Sequence, residues 1–275
     1  KLVTSKLNRA RFDSATLRGT HMALCELTGA SFVAAVLEHA HFDTCNLAQT
    51  DFSQASVNES TFSKADLTDA RFAGASLTKP IFAQAVLRGT SFEAAALDTA
   101  VFAGADLTGA VLSKSMVGCV FNMAFTQQVA TATDDAEPSL DLSGSDFRGA
   151  NLERCVFDGA ILRSVDFTDA NLEAAVLMGC DLTGALLKGA NLFRTMLNKA
   201  KLPGADLRGQ RLRLGMWTEA DLSNADFTGA YVDLSMMQKA NLSGANLTRA
   251  FFKSVSVDEA NFEGVVLDKT RFEKV

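Results

Sequence analysis

The chain is poor in the residues that usually announce a chemistry. It holds one tryptophan, one tyrosine, three histidines and three prolines in 275 residues. Three histidines with no accompanying cysteine set argue against a zinc site, even though His21 and His41 are twenty residues apart with His39 close by. The five cysteines are odd in number and scattered, which excludes a disulfide framework and points to free thiols in a reducing, cytoplasmic compartment. There is no apolar run of roughly 18 residues, so no membrane span is expected. The first residues, Lys1 to Thr4, contain neither a signal core nor an initiator methionine, so a trimmed chain, a repeat domain of a larger bacterial protein, is expected. A formal charge of −6 is too small to suggest a nucleic-acid binder or a densely acidic surface. Gly-rich phosphate loops, nucleophile elbows and paired acids are likewise missing, so the sequence predicts no enzyme, no cofactor and no metal.

What is present is a period of five. From Leu2 to Val117, and again from Leu142 to Phe272, every residue whose number ends in 2 or 7 is apolar. Two places before each such centre stands a small residue, mostly Ala, Ser, Thr or Cys, and Asp or Asn often comes between, as in Ala65-Asp66-Leu67-Thr68 and Ala245-Asn246-Leu247-Thr248. A helix needs apolar residues every three to four positions and a strand every two, so neither regular element fits. A short extended segment closed by a tight turn does fit, with one large and one small side chain turned inward per unit.

A longer period sets the number of units per turn. Phe12, Phe32, Phe52, Phe72 and Phe92 recur every twenty residues, as do Phe42, Phe62, Phe82 and Phe102. Four units therefore make one turn, and the rings should form interior ladders at about the 4.8 Å strand spacing. One turn buries four large side chains, roughly 6–12 kcal/mol gross, against about 1–2 kcal/mol of backbone entropy per residue. A single turn cannot stand alone, and stability must come from stacking.

The repeated small-(Asp/Asn)-(Leu/Phe)-(Ser/Thr)-(Gly/polar) unit resembles the pentapeptide repeat proteins across nearly the whole chain. The resemblance implies an all-β fold, a right-handed quadrilateral β-helix, here of about 12 coils and about 60 Å long. It says little about function. Some members protect DNA gyrase from quinolones as dimeric DNA mimics, and others are repeat domains of secretion or signalling proteins.

The pattern breaks once, giving a segment 1–117, an irregular acidic insertion 118–141 and a segment 142–275 stacked on the first. The insertion contains Asp134, Asp135, Glu137 and Asp141 without a base, and reads either as a solvated loop or as a partner-contacting one. Within it, Phe121, Met123 and Phe125 are candidates to pack back onto the coil.

One outward column departs from polarity. The place before the centre holds Val156, Val176, Met196, Met216 and Met236 at intervals of twenty, with Phe193, Leu214, Leu234, Tyr231 and Phe251 beside them. Met, Tyr and Phe are residues of interface cores. The expectation is therefore a contact surface formed by Phe193, Met196, Leu214, Met216, Tyr231, Leu234, Met236 and Phe251, for a protein partner or a second copy. A local slip of the inward rule, or a covering segment, would explain the same residues without a partner. Gly215 in the small slot before Trp217 reads as room for the indole. A basic collar of Lys188, Arg194, Lys199, Lys201, Arg208, Arg211 and Arg213 faces only Asp206 and spreads around the coil, so no phosphate-tracking groove is expected. Cys25 and Cys45, one turn apart, read as buried thiols. The reading that results is a non-catalytic binding scaffold, with a DNA-mimicking gyrase inhibitor or a structural spacer as alternatives.

Overall fold

The computed structural model describes residues 2–121 and 140–275. The chain forms two compact units, Lys1–Leu140 and Asp141–Val275, and among the described residues neither contains a helix. In the first unit, β1 (Val36–Glu38), β2 (Ser56–Asn58), β3 (Ser76–Thr78), β4 (Ala96–Asp98) and β5 (Ser115–Val117) pair in order as a parallel sheet. In the second, β6 (Arg211–Arg213), β7 (Tyr231–Asp233), β8 (Phe251–Lys253) and β9 (Arg271–Glu273) do the same. The register joins residues twenty apart, as in Val57↔Leu77 and Val232↔Phe252. The other three faces carry single parallel bridges on the same step, such as Glu26↔Asn46, Ser31↔Asp51 and His21↔His41. Each unit is thus a four-sided β-solenoid.

The five-residue signature follows from what each place must do. The centre points inward and is buried, as at Phe32, Leu67, Phe157 and Leu222. Two residues on, the backbone enters the left-handed region, at φ +60 for Leu24 and +58 for Lys64, and the turn closes where the Leu7 carbonyl accepts the Ala10 N–H at 3.0 Å. The small slot is inward too, and its polar occupants donate to a carbonyl one turn away. Thr50 donates to Leu27 at 3.1 Å, Thr90 to Leu67 at 2.8 Å and the Cys45 thiol to Met22 at 2.7 Å. That is why Ser, Thr and Cys interchange there with Ala. An Asp or Asn before the centre accepts the N–H two residues on, as Asp66 does from Thr68 at 3.0 Å and Asn246 does at 3.1 Å.

Interior phenylalanines of the first unit form two ladders. Phe52 and Phe72 stack with centroids 4.8 Å apart, and Phe42 and Phe62 at 5.1 Å, while rings of different ladders meet edge to face, as Phe42 and Phe52 do at 81°. Edge-to-face pairs are each worth about 0.5–1.5 kcal/mol beyond the area they bury.

Among the described residues the step of twenty fails once. Ala96 pairs with Ser115, Leu97 with Met116 and Val101 with Val120, a step of nineteen. One residue is omitted at the corner after Val111, where Ser113 turns inward and its hydroxyl donates to the Ala95 carbonyl. Met116 rather than Val117 therefore fills the centre, and Gly118 takes the left-handed corner. Phe121 then stacks on Phe102 at 4.9 Å, which corrects the expected limit at 117: pairing continues through Val120 and Phe121. Of the expected insertion 118–141, residues 122–139, including Met123 and Phe125, lie outside the described residues. Leu140 is again buried.

Candidate functional site

In the second unit the eight residues expected at a contact surface all face outward. Leu214, Leu234 and Met236 are 36%, 45% and 50% exposed, and Phe193, Met196, Met216, Tyr231 and Phe251 are half-buried. They do not form one continuous patch, and that part of the expectation is corrected by the register. Val156, Val176, Met196, Met216 and Met236 bridge one to the next up one face. Tyr231 and Phe251 begin β7 and β8 on the preceding face. Between the two panels runs a column in which Phe193 is followed, turn by turn, by Arg213, Asp233 and Lys253. Arg213 and Asp233 make an ion pair of 3.3 Å there. Leu214 and Leu234 stand at the left-handed corner between that column and the methionine panel, with φ +57 and +52.

The methionine panel departs from the commonest form of the unit. At the equivalent place in many other units an Asp or Asn oxygen accepts the N–H two residues on, as Asp166 and Asp226 do from Thr168 and Thr228, both at 2.9 Å, although Val36, Ile81, Val86, Val101 and Leu186 stand there too. Met196, Met216 and Met236 give up that bond and leave an apolar chain at the surface.

On the Tyr231 face the stack reads Arg211, Tyr231, Phe251 and Arg271. Tyr231 and Phe251 meet edge to face at 5.6 Å, and the Arg271 guanidinium lies 4.9 Å from the Phe251 ring centre. Gly209 and Gly229 stand at the adjoining corner, and with Arg211 and Tyr231 they line a shallow recess.

The basic collar is partly neutralised. Arg208 bonds Asp206 at 2.6 Å and also faces Asp226 at 3.9 Å, while Lys199 reaches Glu219 at 3.9 Å. The Arg208 side chain holds the Asp206 carboxyl below the usual carboxylate range, and the Thr168 hydroxyl does the same for Asp166. Arg163 likewise bonds Asp181 at 2.7 Å. These aspartates are turn caps already paired with arginine rather than a bare acidic stripe.

All five cysteines are buried and free, and burial pushes the Cys45 thiol up to about 11 and the Cys180 thiol to about 12. His21 and His41 stack at 4.4 Å, but among the described residues no group of three His, Cys, Asp or Glu is placed to hold a metal. Among those residues no helix is long and apolar enough to cross a membrane. At the expected packing feature, a Cβ on Gly215 would stand 2.2 Å from Trp217 Nε1, so the glycine does make room for the indole.

The chain matches the pentapeptide repeat region over residues 5–80, and pentapeptide repeats over 81–115, 141–177, 175–213 and 218–253. It belongs to the pentapeptide repeat family. Among solved structures it is similar to HetL, a pentapeptide repeat protein involved in heterocyst differentiation regulation in the cyanobacterium Nostoc sp. strain PCC 7120, at 21% identity over 96% of this chain and 89% of that one, with a TM-score of 0.43. It is similar to Rfr23 of the cyanobacterium Cyanothece 51142, at 21% identity over 48% of this chain and 90% of that one, TM-score 0.22. It is also similar to QnrB1, a plasmid-mediated fluoroquinolone resistance protein, at 18% identity over 72% of this chain and 90% of that one, TM-score 0.25. No curated protein matches the chain.

Proposed function

We propose that this pentapeptide repeat protein is a non-catalytic cytoplasmic scaffold that recruits a protein partner through the panel of Met196, Met216 and Met236 with the adjoining Leu214 and Leu234. One observation carries the reading: three methionines stack on one face where many other units carry a capping Asp or Asn, and with Met236 half exposed they present apolar surface instead. Departures from a local rule without a packing benefit are expected where a surface is used. Unbranched, polarisable methionine side chains adapt to the shape of a partner.

Photo-crosslinking from position 236 in cells of the source organism tests it. A discrete adduct with one partner, or at twice the chain mass, is the expected result, with none from the same probe at Leu24, an exposed leucine of the first unit. Absence of a discrete adduct at 236, or an identical set from both positions, removes the reading.

A further inference from the structure

The face beside the methionine panel carries a charge that the molecule leaves unanswered. Among the described residues Arg208, Arg213 and Lys253 each pair with a carboxylate, whereas Arg211, Arg249, Lys269 and Arg271 pair with none. These four cations bracket Tyr231 and Phe251. Arg211 and Arg271 end the stack in which the aromatic pair forms the middle, and Arg249 and Lys269 continue the corner begun by Gly209 and Gly229. A Cβ built on either glycine meets nothing within 4 Å, so the recess against Tyr231 is open to an entering side chain.

Resting on the scaffold reading, we propose that this strip binds an extended acidic segment of a partner protein, with carboxylates over Arg211 and Arg271 and an apolar side chain on Tyr231 and Phe251. The spacing supports this occupant. Arg211 and Arg271 are three coil steps apart, about 14 Å at roughly 4.8 Å per step. Along an extended strand, residues i, i+2 and i+4 share one face, and the outer two are about 13–14 Å apart. An acid-x-apolar-x-acid segment lying along the stack therefore sets both acids over arginines and its apolar residue over the aromatic pair. A nucleic-acid strand fits less well, because it carries a phosphate at every nucleotide and would lay charge over Tyr231 and Phe251.

Fluorescence anisotropy with the full chain tests the proposal. The probe is a fluorescein-labelled peptide with the core Glu-Thr-Leu-Thr-Glu, compared with the same peptide carrying Gln for Glu and with a short labelled oligothymidylate. Expected is salt-sensitive binding of the Glu peptide, weakened at least about tenfold by Arg211→Glu with Arg271→Glu, and in the same direction by the milder Arg211→Gln with Arg271→Gln. Native Trp217 emission checks that the variants fold. Lack of Glu-peptide binding, equal binding of the Gln peptide, indifference to both arginine variants, or tighter binding of the oligothymidylate overturns it. The two readings fail separately. Peptide binding that survives Met216→Asp with Met236→Asp belongs to this strip, and an adduct from position 236 without peptide binding leaves the scaffold standing and removes the acidic segment.

Discussion

At the scale of single residues the solenoid is governed by who shares an inward slot. The Trp217 ring fills the space that a small residue holds in neighbouring units, and its Nε1 is buried without a hydrogen-bond partner. Unpaired buried donors cost about 1–3 kcal/mol, so the indole sits there at a disadvantage, and the missing Cβ of Gly215 relieves only its crowding. Gly215→Ala would drive that Cβ against the ring at 2.2 Å from Nε1 and 3.0 Å from Cδ1. Overpacking of this kind costs about 1–3 kcal/mol. Trp217→Leu, which supplies the residue already found one turn away at Leu197, removes both the clash and the orphaned donor. The expected outcome in denaturant titrations is that Gly215→Ala is destabilising alone and close to neutral on the Trp217→Leu background, a coupling of about 1 kcal/mol or more. Additive effects would show that the slot is not shared.

At the scale of the repeating unit, stability depends on side chains that cap each turn, and several of these are carboxylates. Asp166 and Asp206 lie below the ordinary carboxylate range in the folded chain, held there by the Thr168 hydroxyl and the Arg208 guanidinium. Asp181 is also lowered: burial raises it, but the bonds from Thr183 and Arg163 outweigh burial. A depressed folded pKa stabilises the fold above the unfolded value of about 3.9 and loses that contribution as pH falls through the folded value. Denaturation midpoints should therefore hold between about pH 7 and 5 and decline toward pH 3. Asp166→Asn keeps the acceptor oxygen, as Asn246 does naturally toward Thr248. It should cost little at neutral pH and flatten part of the acid limb. A midpoint that rose on acidification would contradict the sign.

At the scale of the whole molecule, the sequence pattern reveals the inward and outward alternation, because a burial rule of two in five repeats with every unit. It misleads where one residue is dropped: Val117 keeps the numerical phase and is apolar, yet Met116 is the buried centre, and the legible clue was Phe121 continuing the Phe102 ladder one place early. The outward direction of the eight residues was legible one by one, but the ion pair of Arg213 and Asp233 between the Tyr231 and methionine columns was not, because a burial rule of two in five says nothing of which outward side chains pair. The same alternation predicts opposite outcomes for one chemical change made inside and outside. Leu222 is fully buried, and Leu222→Asp places an unpaired carboxylate among apolar side chains, which costs several kcal/mol. Met236 is half exposed, and Met216→Asp with Met236→Asp sets carboxylates where this fold commonly carries them, so the shift should stay within about 0.5 kcal/mol for each site. Trp217, the single tryptophan and fully buried in the second unit, reports both. Native emission should disappear in Leu222→Asp and keep its denaturation midpoint in the double methionine variant. Collapse of the double variant would mean that the methionines hold the coil together and are not free to meet a partner.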